Sequence, residues 1–220
     1  MLIKSEAIVL HSIKYGESRL IIDVFTRESG RLSLIASVPK SSKGRLKKQY
    51  FQPATLLVVE YDLRQNASLQ RLKDARLSAP WQSLQYSPEK LALALFSAEF
   101  LYHALRSESQ NVALFDYIND SMQWLDMAET GYANFHLTFL MRLSRFLGFY
   151  PNLEAYTDGS IFDLRAAEFS AVVPVHRDFL PPSEARMIQL LMRMDYSTMH
   201  VFRLSRHDRN RITEVLLGYY

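Results

Sequence analysis

Five short runs of alternating apolar and polar residues constrain the fold of this chain more than any other feature. The runs span residues 6–15, 19–26, 31–38, 55–63 and 68–77. Alternation places successive side chains on opposite faces of a strand. Five short antiparallel strands within about eighty residues predict a small closed barrel of the OB type, because closure removes the exposed edge strands.

The same alternation predicts which side chains face the barrel core. One set in the first run shares a parity and is predicted to share a buried face: Ala7, Val9, Ile13 and Tyr15. Ile8 and Leu10 have the other parity, so this strand is predicted to be partly buried on both faces. Gly30 follows Glu28 and Ser29 in a predicted hairpin turn, where a glycine adopts positive φ without strain.

The period changes to that of helices after a proline-containing stretch at residues 80–88. Apolar residues three and four apart then predict helices over 87–106, from 111 onward, over 132–147 and over 183–194, and a last helix ending near 217. Residues 152–180 lack a clear period. The predicted class is therefore α+β, with an OB barrel at 1–80 followed by an α-helical domain at 81–220 that contains an irregular insertion at about 152–180.

A basic segment without acids lies between the third and fourth runs, at residues 39–50. Its five cations are predicted to contact DNA phosphates: Lys40, Lys43, Arg45, Lys47 and Lys48. Closely spaced cations repel one another and require either water or a polyanion nearby. A solvated connection without a ligand is the alternative for such a loop.

Charge is unevenly divided along the chain. Residues 1–80 contain fourteen Lys and Arg against seven Asp and Glu, a net of +7, which leaves −4 for residues 81–220 because the whole chain carries +3. This asymmetry indicates a polyanion partner for the barrel, and nucleic acid is the first candidate. Four further cations are predicted to join the DNA-binding face: Arg31, Arg64, Arg71 and Lys73. Four aromatic residues of the same module are candidates for stacking on bases or for core packing: Tyr15, Tyr50, Phe51 and Tyr61.

Several classes of chemistry have no support in the sequence. The seven glycines are isolated, so no phosphate-binding loop is present, and no Gly-x-Ser-x-Gly or His-Glu-x-x-His motif occurs. The chain contains no cysteine, which excludes disulfides and thiolate metal sites. We expect no cofactor and no stoichiometric zinc. The start lacks an export signal and no apolar run reaches bilayer length, so we expect a soluble, cytoplasmic protein without membrane contact.

Six segments occur in the order seen in the bacterial DNA repair proteins of the RecO family, which this chain resembles. They are EAIVL (6–10), the turn YGE (15–17), FTRESGRLSLIA (25–36), the basic loop, LQRLKDARL (69–77) and LGFYPNL (147–153). The resemblance implies an N-terminal OB fold, a helical domain and a non-enzymatic recombination mediator. Such a protein binds single- and double-stranded DNA, anneals complementary strands, works with RecR, and helps load RecA on DNA coated by single-strand binding protein. Nucleoid association in the cytoplasm follows from that role.

This chain departs from the resemblance at one place. Many RecO proteins carry two cysteine pairs for zinc, the first just after the segment that matches LGFYPNL, but EAYTDGSIF stands there in this chain. The zinc of the family is therefore not carried over.

The resemblance also implies a site for the acidic, apolar-ended tail of single-strand binding protein. We predict it on the third helix, where spacings of three and four residues place Phe139, Arg142, Leu143 and Phe146 on one face. Arg145 lies beside that face, so two guanidinium groups could flank the aromatic patch. Packing inside a helical bundle explains the same pattern equally well.

Two other functions remain as alternatives. One is a metal-dependent enzyme that processes nucleic acid with carboxylates such as Asp158 and Asp163. The other is an adaptor that binds only proteins, through the basic loop.

Overall fold

The computed structural model describes residues 1–38 and 46–220 and confirms the predicted fold class. The first module is a closed barrel of five strands, β1 (Leu2–Tyr15), β2 (Arg19–Thr26), β3 (Gly30–Ser37), β4 (Leu56–Asp62) and β5 (Leu69–Leu77). The strands neighbour one another in the order β1-β2-β3-β5-β4, and β4 closes the barrel by pairing with β1.

The seam between β3 and β5 is the shortest in the barrel. It is also the only parallel pairing among the barrel strands, and it joins Ser33 to Leu69, Leu34 to Gln70 and Ile35 to Arg71. Beyond Ile35 and Arg71 the two strands separate, which leaves a groove on the barrel wall.

A bulge in β1 changes which of its side chains face the core. The register with β2 shifts between Val9 and His11, so one residue of β1 has no opposite partner. Ala7 and Val9 remain in the barrel core, but Ile13 and Tyr15 are 46% and 52% exposed. The prediction that all four share a buried face is therefore wrong for Ile13 and Tyr15, because an inserted residue reverses the parity that follows it.

Apolar side chains fill the barrel and also cover part of its outside. Val9, Ile22 and Leu34 belong to the interior cluster. Ile8 and Phe25 are paired across β1 and β2 on the opposite side of the sheet, and both are fully buried. That outer apolar layer requires a cover, and Phe115 supplies part of it with a ring centroid 6.3 Å from that of Phe25.

The helices follow after the connection at 78–87. They are α1 (Pro88–Ala104), α2 (Val112–Met127), α3 (Phe135–Phe146), α4 (Pro182–Met192) and α5 (Arg206–Tyr219). Ser87 caps α1 through its hydroxyl, and Ser205 and Asp208 form a capping box at α5. No helix within the described residues is both long and apolar enough to cross a membrane.

The chain divides into two compact units, Met1–Met127 and Ala128–Tyr220. In the first unit, α1 and α2 pack with the barrel. The turn between β2 and β3 is attached to the α1–α2 connection, since the Arg31 amide donates to the Glu108 carbonyl at 3.0 Å. The Arg27 guanidinium also forms two hydrogen bonds with Asp116, at 3.0 and 3.1 Å.

The second unit combines α3–α5 with a small sheet. Its strands are β6 (Ile161–Asp163), β7 (Glu168–Ser170) and β8 (Phe179–Leu180), in the order β7-β6-β8. Phe162 is fully buried, and its ring packs against Phe169 and Tyr219 at centroid distances of 4.9 and 5.6 Å. Aromatic packing thus stabilises the segment that the sequence left without a clear period.

Candidate nucleic-acid interface

The candidate interface is the outward side of β1, β2, β3 and β5, which we call the outer face. Strand register aligns its side chains in rows. One row runs Tyr15, Arg19 and Ser37, and the next runs Ile13, Ile21, Ile35 and Arg71. The outer face therefore carries an exposed ring and an apolar strip between cations.

The groove at the β3–β5 seam concentrates positive charge on this face. It has a volume of about 610 Å³ and is lined by Arg19, Ile35, Ser37, Leu46, Arg64, Leu69, Arg71, Leu72 and Lys73. Four of the nine residues are cations and none is an acid. Arg19, Arg64 and Arg71 form no ion pair with another described residue, which leaves their charge available to a ligand.

Local structure fixes the position of Arg64. The Gln70 side chain is buried and lies under the turn between β4 and β5. Its Oε1 accepts from the Arg64 amide at 2.8 Å, and its Nε2 donates to the carbonyls of Arg64 and Ala67 at 3.1 and 2.6 Å. The turn is thus held at the rim of the groove.

Lys73 differs from the arginines because it already has a partner. Its Nζ lies 3.0 Å from Oδ2 of Asp62, and the hydrogen bond from Lys73 holds the pKa of that carboxyl below its ordinary value. We therefore expect Lys73 to contribute less to anion binding than the arginines.

The structure places Arg31, another predicted DNA contact, away from the groove. Its side chain is 12% exposed, lies 3.5 Å from Asp23 and has its guanidinium carbon 4.8 Å from the centre of the Tyr102 ring. Burial lowers the pKa of Arg31, although Asp23 opposes the shift. Arg31 thus packs between the barrel and α1, and its contact with DNA stays a prediction.

The four candidate aromatics have different environments. Phe51 and Tyr61 are buried in the barrel core, and Tyr50 is partly buried against it. Tyr15 is the exposed one, on the outer face beside Arg19.

Part of the basic loop lies within the structure. Lys47 and Lys48 are exposed and follow Leu46, which lines the groove. The predicted contacts Lys40, Lys43 and Arg45 lie outside the described residues. The DNA-binding role of all five cations stays a prediction.

The predicted protein-binding face of α3 divides into buried and accessible residues. Phe139 and Leu143 are fully buried in the second unit, so a partner cannot reach them on this surface. Arg142 donates from Nε to the Met194 carbonyl at 3.2 Å. Arg145 is exposed and stacks over the Tyr150 ring at 4.4 Å. Phe146, next in sequence, is partly buried.

Carboxylates and imidazoles are scattered across the described part of the chain. Within it, no three His, Asp or Glu side chains lie close enough to hold a metal ion. Asp163, one of the two carboxylates considered for metal-dependent chemistry, accepts hydrogen bonds from the amides of Arg165 and Ala166 and lies 3.2 Å from His176. Asp163 therefore stabilises a turn in the small sheet, and Asp158 is exposed nearby in sequence.

Sequence reasoning missed two features of the interface. Arg19 was not among the predicted contacts, although the turn at Tyr15–Glu17 would have paired it with Tyr15 across the hairpin. Leu46 and Leu69 complete the apolar part of the groove, and only the closure of β3 onto β5 brings them together.

A closed five-stranded barrel with a cationic groove, followed by helices, places this chain among the OB-fold proteins. The N-terminal model of recombination protein O matches residues 1–81, and its C-terminal model matches residues 85–220. The chain belongs to the RecO family of DNA repair and recombination proteins, which confirms the resemblance read from its sequence.

Relatives support this assignment over the full length of the chain. It is 48% identical over 220 residues to the DNA repair protein RecO of Phocaeicola vulgatus, and 47% identical over 221 residues to that of Bacteroides fragilis. The RecO protein of Porphyromonas gingivalis is 36% identical over 228 residues. Each comparison covers 100% of this chain and 91% of the relative.

Proposed function

We propose that this chain is a DNA-binding recombination mediator that holds single-stranded DNA on its outer face. The observation that carries the proposal is the groove at the β3–β5 seam, with Arg19, Arg64 and Arg71 around an apolar floor. Cations neutralise phosphates while exposed rings stack on bases, which is how OB folds bind single strands. Tyr15 supplies such a ring.

This chemistry suits strand annealing. The groove contacts phosphates and base faces, and these contacts are independent of sequence, so the groove itself can bring two complementary strands together without readout of base edges. The proposed activity requires no covalent reaction and no cofactor. The cationic outer face also suits double-stranded DNA, whose phosphates provide the same charges.

Family membership supports the rest of the proposal. We propose that the chain works with RecR and helps load RecA on DNA coated by single-strand binding protein, in the cytoplasm at the nucleoid. For the tail of single-strand binding protein, the accessible part of the predicted α3 site is Arg145 with the Tyr150 ring, flanked by Phe146. A guanidinium pairs with carboxylates, and the neighbouring rings suit an aromatic end.

The test is fluorescence anisotropy with a short single-stranded oligonucleotide across a salt series. The variant replaces Arg19, Arg64 and Arg71 together by Ala. Each lost phosphate contact should make the log-log salt slope shallower by about 0.7, so the triple variant should lose roughly 2 units of slope and bind more weakly at low salt.

A control variant removes charge from another part of the barrel wall. Lys4 and Arg76 are exposed cations on the β1–β4–β5 side, where Glu60 lies opposite Lys4. Replacing both by Ala should leave the salt slope nearly unchanged. The proposal fails if a folded triple variant keeps the parent slope, or if the control loses as much.

A further inference from the structure

A second, smaller cleft lies beside the outer face, between β1 and α1. It has a volume of about 260 Å³ and is lined by Leu10, His11, Pro53, Leu95, Glu99, Tyr102 and His103. We call it the ring cleft. Sites for drug-sized ligands have roughly 300–1,000 Å³, so the ring cleft suits a single planar ring better than a whole cofactor.

Three rings of the cleft lie close together. The His11 and Tyr102 rings have centroids 4.7 Å apart, and Tyr102 and His103 meet edge to face at 5.0 Å. Leu95 adds apolar surface and is 40% exposed. Because the Tyr102 ring already contacts His11, His103 and the Arg31 guanidinium, the platform for another aromatic ring is the accessible part of the two imidazoles beside Leu95.

The cleft also offers specific polar groups. Glu99 is exposed, and its carboxylate makes no hydrogen bond or ion pair with another described residue. Beside it, His103 Nδ1 lies 3.0 Å from a guanidinium nitrogen of Arg106, and Arg106 is exposed. The cleft therefore combines an acceptor of hydrogen bonds with a neighbouring cation that can pair with phosphate.

The position of the cleft connects it to the outer face. His11 lies on the same side of β1 as Ile13 and Tyr15. Strand pairing places it in one row with Asp23, Ser33 and Leu69. At about 3.3 Å per residue, His11 lies roughly 13 Å along the strand from Tyr15. A DNA strand that lies across the outer face can therefore extend to the ring cleft.

We infer that the ring cleft receives one unpaired nucleobase bearing an exocyclic amino group, from the DNA strand held on the outer face. The inference rests on the proposed function. A carboxylate accepts a hydrogen bond from the amino group of cytosine, as it does in base-edge recognition. Thymine has a carbonyl oxygen at the corresponding position, which a carboxylate repels.

The test compares labelled twelve-nucleotide dC and dT oligomers by fluorescence anisotropy. A single hydrogen bond to a charged group discriminates against a base that lacks the donor by about fivefold or more, so the parent should bind the dC oligomer about five times more tightly than the dT oligomer. Glu99→Gln keeps the size of the side chain but gives it a donor as well as an acceptor. The dC:dT affinity ratio of this variant should fall to within about twofold of unity.

A matched control removes one glutamate charge outside the cleft by the same substitution. Glu129 is exposed and lies outside the cleft, so Glu129→Gln should keep the parent ratio even if one more positive unit of net charge strengthens binding to both oligomers. The inference is overturned if Glu99→Gln keeps the parent ratio, or if Glu129→Gln loses it equally.

The triple variant of Arg19, Arg64 and Arg71 separates this inference from the proposed function. If the triple variant weakens binding to both oligomers and Glu99→Gln leaves the ratio unchanged, the cleft inference fails and the outer face stands. If the triple variant binds as the parent does, the proposed function fails, and the inference that a strand on the outer face supplies the base fails with it.

Discussion

Gly30 occupies a position where any side chain would collide with the connection between α1 and α2. Its φ is +69°, and a Cβ built there would lie 2.4 Å from the carbonyl carbon of Ser109 and 2.7 Å from the carbonyl oxygen of Glu108. The hairpin turn thus needs glycine both for its backbone conformation and for the close approach of another backbone.

We expect Gly30→Ala to destabilise the chain by about 3 kcal/mol, which combines left-handed strain with overpacking. Urea unfolding at pH 7 measures the loss. Gly16→Ala is the matched control, because Gly16 has φ +70° but no atom beyond its chain neighbours lies within 4 Å of the added Cβ. Gly16→Ala should cost only about 1 kcal/mol. Equal losses in the two variants would show that the contact with Ser109 contributes nothing.

The sequence predicted individual residues well where local rules decide their environment. The turn glycine at position 30 and the serine cap of α1 follow from local conformation. Arg31 was predicted on an exposed binding surface, and for Phe139 such a surface and packing inside a bundle remained equally open, because burial depends on which element packs over each side chain. Periodicity assigns each residue to a face of its helix or strand. It does not tell which of those faces another element covers.

Among the elements, the connection at 78–87 is held by one carboxylate at the end of α2. Asp126 Oδ2 accepts from the Gln82 amide at 2.9 Å, and its Oδ1 accepts from the amides of Ser83 and Leu84 at 2.9 and 2.7 Å. The buried Lys90 ammonium donates to the Asp126 backbone carbonyl at 2.8 Å. Because three backbone donors converge on it, this carboxylate fixes where the connection between barrel and helices runs.

We expect Asp126→Asn to cost about 3 kcal/mol at pH 7, since an amide offers one acceptor oxygen in place of two and directs its own donor at a backbone amide. Urea unfolding of parent and variant measures the cost. Asp120→Asn, on the exposed side of α2, is the control and should lie within about 0.5 kcal/mol of the parent. A loss for Asp120→Asn as large as that for Asp126→Asn would contradict this assignment.

The same carboxylate predicts a pH dependence. Burial raises the pKa of Asp126, but the amides of Gln82, Ser83 and Leu84 and the charge of Lys90 outweigh it, so the pKa falls below its ordinary value. A lowered folded-state pKa means that the stabilisation is present above the unfolded pKa of about 3.9 and is lost as pH falls through the folded value. The free-energy difference between parent and Asp126→Asn should therefore stay constant from pH 7 to about 5 and shrink below about 4. A difference that is unchanged at pH 3 would refute this linkage.

Strand β1 shows why the ends of a strand were easier to predict than which of its side chains are buried. Alternation located β1 to β5 within a few residues, because strand length and turn residues are local signals. The bulge between Val9 and His11 depends on the pairing of β1 with β2, and it moves Ile13 and Tyr15 to the outer face. Tyr15 is therefore exposed because of how β1 pairs with β2, and the alternation of residues within β1 alone does not reveal that pairing.

At the scale of the whole molecule, sequence similarity and packing divide the chain at different places. The family models separate at residues 81 and 85, close to the predicted boundary at 80. Packing instead groups α1 and α2 with the barrel in the unit that ends at Met127. The predicted boundary stays a prediction, because a family boundary and a folding boundary are different properties.

We expect residues 1–127 to fold as an isolated fragment and residues 1–81 to be much less stable. Without α1 and α2 the shorter fragment exposes Ile8 and Phe25, whose burial contributes roughly 1.5–3 kcal/mol each. It also loses the Arg27–Asp116 hydrogen bonds. A domain of this size is stable by only about 5–15 kcal/mol, so these losses remove a large fraction of the total.

Urea unfolding followed by far-ultraviolet circular dichroism decides between the two boundaries. The 1–127 fragment should show a single cooperative transition, whereas the 1–81 fragment should unfold at a much lower urea concentration and bind a dye for exposed apolar surface. Phe25→Ser in the 1–81 fragment is the matched control. It should reduce dye binding, because Phe25 is covered by α2 only in the longer fragment. If the 1–81 fragment unfolds at the same urea concentration as the 1–127 fragment, the barrel folds independently of α1 and α2, and the boundary predicted at residue 80 is also the folding boundary.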